Sequence, residues 1–184
     1  CSSDLVTRDE NPDLPMRQFM AGHEGDADHT ARFQEAIDKI SQVAGQTARF
    51  TGMNRGGTIQ LDAETYNIAG GQLVLPSFIP VIFKGASVGD GNGLSTVLRP
   101  LGNGAMFQFG LDNGVTGYLC EGSGLRDVTI KSEDGDASRS TSGAIVKIFR
   151  QRDFLMDNVR MWGQWDGVDI YGSMLTTLRK VNIE

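Results

Sequence analysis

Basic residues are few and scattered in this sequence. Its 17 Lys and Arg residues are outnumbered by 23 Asp and Glu residues, so the 184-residue chain carries a net charge of −6. Nucleic-acid binding needs a positive stripe or patch, and the lack of a Lys/Arg cluster argues against nucleic acid as a partner. No run of residues is long and apolar enough to cross a bilayer, so we expect no membrane span.

Proline is also scarce, with 5 residues, whereas glycine is abundant, with 24. Frequent glycine without a triplet repeat is typical of tight turns between short strands and not of collagen. The length is sufficient for one domain with a hydrophobic core.

Only two cysteines are present, Cys1 and Cys120. The opening "CSSDL" is the peptide that a widely used sequencing adapter encodes in one frame, so we interpret residues 1–5 as an adapter artefact. The chain would then be the N-terminal part of a longer protein, and Cys120 an unpaired thiol with no disulfide. The alternative is an exported chain that begins at Cys1.

One segment, "GDADHTARFQEAIDKISQVAG", has the period of an amphipathic helix and follows a polar, extended lead-in over residues 6–24. Asp28 or Thr30 can cap its first turn, and Gly45 can end it. The apolar residues that recur on one helical face are Phe33, Ile37, Ile40 and Ala44.

The rest of the chain reads as short strands bounded by turn residues. The segments "TIQLDAETYNI", "QLVLPS", "IPVIFKG" and "STVLRP" alternate or cluster apolar residues without a further helical pattern. A doubly wound sheet is therefore not expected, because it would need helices between the strands.

Two strand patterns then recur in alternation. Type-A strands, apolar-x-x-Val-x-apolar, have their apolar residues at Leu125/Val128/Ile130, Met156/Val159/Met161 and Leu178/Val181/Ile183. Type-B strands, apolar-x-apolar, have them at Phe107/Phe109, Val146/Ile148 and Val168/Ile170. The step from 159 to 181 is 22 residues, and the longer step before it contains the polar stretch "SEDGDASRSTSG".

A period of this length predicts an all-β parallel solenoid over residues 25–184, in which each turn adds one strand to each sheet. Val128, Val159 and Val181 would form an inward ladder. The outward ladders would be Thr129, Arg160 and Asn182 on type-A strands, and Gln108, Lys147 and Asp169 on type-B strands. The alternative is a β-sandwich whose strands look alike by chance.

The segments "GDADHTARFQEAIDKI", "GGTIQLDAETYNI" and "LVLPSFIPVIFKGASVGDGNGLSTVLRP" resemble the N-terminal part of the pectate lyase-like superfamily. The nearest branch is the rhamnogalacturonase/epimerase type, which is shared with many phage tailspikes. The resemblance implies a right-handed, single-stranded parallel β-helix with one N-terminal capping α-helix.

The resemblance also implies a function. Enzymes of this superfamily cleave acidic polysaccharides by lysis or hydrolysis, so a secreted or virion-associated polysaccharide-degrading protein is expected, including a tailspike depolymerase. The alternative is a non-catalytic, glycan-binding shaft of a tailspike or adhesin, for which a homotrimer is the implied assembly. The enzymatic activity would belong to the full-length protein, because most central turns lie beyond these residues.

Hydrolysis of a glycosidic bond uses two carboxyl groups, and lysis needs a base with a cation near the uronate. The candidate catalytic residues are Asp153, Asp157, Asp166 and Asp169. The candidate substrate-binding residues are Arg150, Arg160, Trp162, Trp165 and Tyr171, with Phe149 equivalent to Tyr171 in the repeat. A solvated outward face, including an ion pair between Lys147 and Asp169, is the simpler interpretation of the charges.

No metal site or organic cofactor is expected. Ca²⁺ is the one ion that "EDGD" at Glu133–Asp136 allows, although its spacing is not that of a calcium-binding loop. His23 and His29 flank the helix start without a third ligand, and "GASVGDGNG" precedes no helix, so neither predicts a metal or dinucleotide site.

Overall fold

Parallel β-strands dominate the computed structural model of this chain. It describes residues 13–51, 56–69, 73–75, 79–90, 93–102, 104–110, 120–132, 144–163, 166–173 and 175–184. The helices are α1 (Arg17–Met20) and α2 (Thr30–Thr51). The strands are β1 (Asp13–Pro15), β2 (Gly57–Gln60), β3 (Thr65–Ala69), β4 (Leu73–Val74), β5 (Val81–Lys84), β6 (Val97–Leu101), β7 (Phe107–Phe109), β8 (Cys120–Glu121), β9 (Gly124–Lys131), β10 (Ala144–Phe149), β11 (Gln151–Arg152), β12 (Leu155–Trp162), β13 (Asp166–Tyr171) and β14 (Thr177–Ile183).

Every strand pairing in the described ranges is parallel. The largest sheet follows the order β1-β2-β5-β9-β12-β14, with β3 and β6 joined to it through β9. A second sheet has the order β13-β10-β7-β4, and β8 pairs with β11. The expected mainly-β chain with parallel sheets is therefore confirmed, whereas an antiparallel β-sandwich does not agree with these pairings.

The register of the repeated strands is the one that the sequence predicts. Val159 lies opposite both Val128 and Val181, so the three valines form a continuous row across β9, β12 and β14. On the second sheet, Ile148 lies opposite Phe109 and Ile170. The register is kept although the steps along the chain differ, 31 residues from 128 to 159 and 22 from 159 to 181.

A left-handed residue explains why the type-A pattern has two residues, not one, between its first two apolar positions. Asp127, Asn158 and Lys180 have φ values of 54°, 53° and 51° and occupy the same place in β9, β12 and β14. One residue in this conformation bends the strand and shifts the alternation by one position, so both flanking apolar side chains point inward. Asn158 Nδ2 donates a 2.8 Å hydrogen bond to Asp127 Oδ1, which ties two of these bends together.

The core continues through both sheets as a row of aromatic rings. Ring centroids are 5.3 Å apart for Phe33 and Tyr66, 4.9 Å for Phe83 and Phe107, and 4.8 Å for Phe109 and Phe154. All six rings are buried. Burial of the phenol raises the pKa of Tyr66, and its oxygen accepts a 3.1 Å hydrogen bond from the Asp62 amide.

Helix α2 covers the beginning of this core. Phe33, Ile37 and Ile40 are buried as predicted, and Asp28 Oδ1 accepts a 2.9 Å hydrogen bond from the first helical amide, that of Thr30. The helix continues to Thr51, so the predicted end at Gly45 is wrong. A glycine inside a helix destabilises it by only about 1 kcal/mol, so Gly45 need not end the helix.

The start of α2 also occupies one edge of β3. His29 N–H donates to Asn67 O at 2.8 Å, and His29 Nδ1 accepts from Asn67 N–H at 3.1 Å. Thr30 Oγ1 accepts from Ala69 N–H at 2.8 Å. Within the lead-in that was predicted to be extended, Asp13–Pro15 is a strand and Arg17–Met20 is one helical turn.

One predicted outward residue is not exposed. Thr129 is fully buried because the segment between β5 and β6 lies over it: Gly89 N–H donates to Thr129 Oγ1 at 3.1 Å. The same segment reaches further, since Asp90 Oδ1 lies 3.0 Å from a terminal nitrogen of Arg160. The outward row at this position is therefore covered at β9 and accessible only at β12 and β14.

Candidate functional site

A row of charged residues crosses the outer face of the large sheet. Arg126 lies opposite Lys84 and Asp157, and Asp157 lies opposite Arg179. Neighbouring strands in a sheet are about 4.8 Å apart, so these side chains form one line across four strands. We call Lys84, Arg126, Asp157 and Arg179 the charged column.

Asp157 is the only carboxylate in the charged column and is engaged by its neighbour. Arg179 Nε donates to Asp157 Oδ1 at 2.7 Å, and a terminal nitrogen of Arg179 donates to Oδ2, so the pair is bidentate. The hydrogen bond from Arg179 lowers the pKa of Asp157, and the charges of Arg179, Lys180 and Arg126 lower it further. Asp157 is therefore ionised near neutral pH, which suits a base or a counter-ion and not a general acid.

This ion pair predicts a small loss of stability in strong acid. Because the folded-state pKa of Asp157 is lowered, its contribution is complete above the unfolded-state value of about 3.9. The contribution is lost as the pH falls through the lower folded-state pKa. The difference in free energy of unfolding between wild type and Asp157→Asn should therefore be constant above about pH 5 and narrow as the pH falls towards about 2.

Arg179→Gln provides the control for this prediction. It should return the carboxyl pKa of Asp157, followed by NMR, towards the ordinary value, because the first cause of the shift is removed. A difference between wild type and Asp157→Asn that keeps its size at all pH values would contradict the prediction.

Two predicted substrate-binding residues, Arg160 and Trp162, contact each other. The Arg160 guanidinium carbon lies 5.1 Å from the centre of the Trp162 ring, and Lys131 Nζ lies 4.5 Å from it. Arg160 also forms ion pairs with Asp90 at 3.0 Å and Glu184 at 3.4 Å. The ring of Trp162 is thus occupied by cations, which leaves less of it available for a sugar than the sequence suggests.

A second set of candidates lies on the outer face of the second sheet, the one with the order β13-β10-β7-β4. Tyr171 lies opposite Phe149, with ring centroids 6.1 Å apart and planes inclined by 55°. Two residues earlier, Lys147 lies opposite both Asp169 and Gln108. We call these five residues the aromatic face.

The predicted ion pair between Lys147 and Asp169 does not form. Although the two residues are opposite each other, neither side chain makes a hydrogen bond or an ion pair with any residue that the structure describes. Tyr171 is 57% exposed, so its ring is accessible to solvent.

The remaining candidates occupy bends or lie at the limits of the described ranges. Asp153 has φ 55° and is exposed, with Oδ2 3.9 Å from Arg152 Nε. Arg150 has φ 48°, and its amide donates to Tyr171 O at 2.9 Å. Asp166 begins β13 opposite Ala144, whereas Trp165 lies outside the described residues.

The candidate carboxylates are therefore distributed over two sheets. Asp157 belongs to β12 and Asp169 to β13, and the residues opposite them in the described strands are Arg126, Arg179 and Lys147. Two carboxyl groups opposite each other on adjacent strands, the arrangement expected for hydrolysis, do not occur among these opposed pairs. Catalysis by Asp153, Asp157, Asp166 or Asp169 stays a prediction.

No family model, curated protein or solved structure matches this chain. In the described part of the chain, no group of three His, Cys, Asp or Glu residues could hold a metal ion, and Glu133–Asp136 lies outside that part. No helix in the same residues has the length and apolar character of a membrane span.

The charged column is the feature that sequence reasoning missed. Arg126, Asp157 and Arg179 each follow the first apolar residue of a type-A strand, so the pattern already aligns them. Lys84 could not be aligned in this way, because β5 does not carry the type-A pattern. Of the four residues of the column, only Asp157 was a candidate in the sequence, so the mainly basic character of this row was not predicted.

Proposed function

We propose that this chain is part of a right-handed parallel β-helix of the pectate lyase-like type that binds an acidic polysaccharide and degrades it. The parallel rows with constant register, the repeated left-handed bends and the helix over the first strands all support this fold. The expected location is extracellular or virion-associated, as for secreted polysaccharide-degrading enzymes and tailspike depolymerases.

The charged column is the observation that carries the choice of ligand. Lys84, Arg126 and Arg179 supply three cations in one line on a chain whose net charge is −6. Carboxylates and sulfates are bound well by guanidinium groups, which can donate two parallel hydrogen bonds to them. A polyanion that runs across the strands would meet these cations in turn, with Asp157 as the counter-ion of Arg179 in the free protein.

Affinity electrophoresis in gels that contain polygalacturonate tests this ligand class. Removal of one charge-assisted contact should weaken binding about tenfold, so Arg126→Ala should migrate faster than wild type. Arg152→Ala is the matched control, because Arg152 is exposed on β11, outside the large sheet that carries the column, and the net charge changes equally. Equal mobility of the two variants, or no retardation of wild type, would exclude the column as a polyanion site.

Assays for new reducing ends and for unsaturated uronate distinguish hydrolysis from lysis. Binding without either product would favour the second candidate, a non-catalytic glycan-binding shaft. The specific observation behind that candidate is that Asp157, the carboxylate within the column, is already paired with Arg179.

A further inference from the structure

The aromatic face differs in chemistry from the charged column and lies on the other sheet. It presents an exposed tyrosine, a half-buried phenylalanine, one cation, one anion and one amide. The charges of Lys147 and Asp169 cancel, whereas the column has three cations and one carboxylate. The two faces therefore suit ligands of different charge.

We infer that the aromatic face binds an uncharged sugar ring of a polysaccharide. A pyranose has a face of C–H groups that packs against an aromatic ring, and a rim of hydroxyls that both donate and accept hydrogen bonds. Tyr171 offers the ring, with 57% of the residue accessible. Lys147 can donate to a hydroxyl, and Asp169 can accept from one.

The two charged side chains of this face are not paired with each other, which supports this assignment. Lys147 and Asp169 lie opposite each other on adjacent strands, yet the side chain of each has no hydrogen-bond or ion-pair partner among the described residues. Both groups can therefore bind sugar hydroxyls without first breaking an ion pair. Gln108 Nε2 has only a long contact, 3.4 Å to Gly110 O, so its amide adds a third polar group to the same row.

The backbone holds this face in place. Arg150 N–H donates to Tyr171 O at 2.9 Å, and Gln151 N–H donates to Ser173 Oγ at 3.0 Å, so the ends of β10 and β13 are joined just beyond the two rings. A pre-positioned aromatic pair loses little conformational freedom when a ligand binds. The inference keeps polysaccharide as the ligand class of the proposed function but is independent of the charged column.

The experiment compares retardation in gels that contain galactomannan, xyloglucan or dextran, which are neutral, with retardation in polygalacturonate. Wild type should be retarded by at least one neutral polymer, and Tyr171→Ala should lose about tenfold in affinity for it. Tyr171→Phe should keep the affinity within about threefold, because the ring is retained. Arg126→Ala should bind the neutral polymer as wild type does.

Binding of polygalacturonate, measured in parallel, distinguishes a failure of this inference from a failure of the proposed function. Loss of neutral binding in Tyr171→Ala with unchanged binding of polygalacturonate supports two separate faces. No retardation of wild type in any of the three neutral gels overturns the aromatic-face inference and leaves the column untouched. Concentration-dependent self-association that Tyr171→Ala abolishes, seen by light scattering, would also overturn it, since a second copy would then be the occupant.

Discussion

Replacement of Ile148 by alanine should lower the free energy of unfolding by about 2–5 kcal/mol. Ile148 is fully buried in β10, between Phe109 on one neighbouring strand and Ile170 on the other. Truncation of the side chain removes its apolar contacts and leaves a cavity that two flanking strands, fixed by their ladders, cannot readily close. Urea denaturation followed by circular dichroism measures the change.

Ile170→Ala is the matched control. The two isoleucines are opposite each other and occupy the same position in successive type-B strands, but Ile170 is 43% exposed. Its replacement should cost less than about 2 kcal/mol, because much less apolar surface is lost from the core. Equal losses for the two variants would mean that burial does not increase from β13 to β10 in the folded protein.

Gly110→Ala should lower the free energy of unfolding by about 2–5 kcal/mol, because it introduces strain instead of removing contacts. Gly110 has φ +81°, and a Cβ placed there would lie 2.1 Å from Phe149 O, well inside van der Waals contact. The added carbon would have to push one strand away from the other or change the backbone conformation. The same denaturation measurement applies.

Gly122→Ala measures the penalty of the left-handed conformation without the steric clash. Gly122 has almost the same φ, +82°, but nothing lies within 4 Å of its added Cβ. Its replacement should cost only the conformational penalty of about 1–2 kcal/mol. If Gly110→Ala costs no more than Gly122→Ala, the neighbouring strand yields freely, and the close approach of Phe149 does not constrain the backbone.

The periodic part of the fold could be predicted because its information is local and repeated. The spacing of Val128, Val159 and Val181 places them in one row, and the structure has that row. Residue type is a weaker signal for the bend: Asp127 and Asn158 are of types that adopt the left-handed conformation readily, but Lys180 shares it and is not. The feature that all three strands share is the additional residue between the first two apolar positions of the type-A pattern.

Contacts between distant segments were not predictable from one sequence. The cover over Thr129 and the ion pair of Asp90 with Arg160 both depend on where the segment after β5 lies, and 70 residues separate Asp90 from Arg160. The candidate site likewise has a part that the sequence predicts and a part that it does not. The oppositions of Phe149 with Tyr171 and of Arg179 with Asp157 follow from the repeat, whereas that of Lys84 with Arg126 does not, because β5 lacks the type-A pattern.

The start of α2 has a consequence for how copies of this protein behave when concentrated. Unpaired strand edges recruit other chains and lead to aggregation, and a long parallel sheet would offer such an edge at its first strands. On β3, the amides of Asn67 and Ala69 are already bound by His29 and Thr30, and Asn67 O accepts from His29 N–H. A foreign strand would have to displace the helix to pair there, so β3 is closed to fibre-like growth.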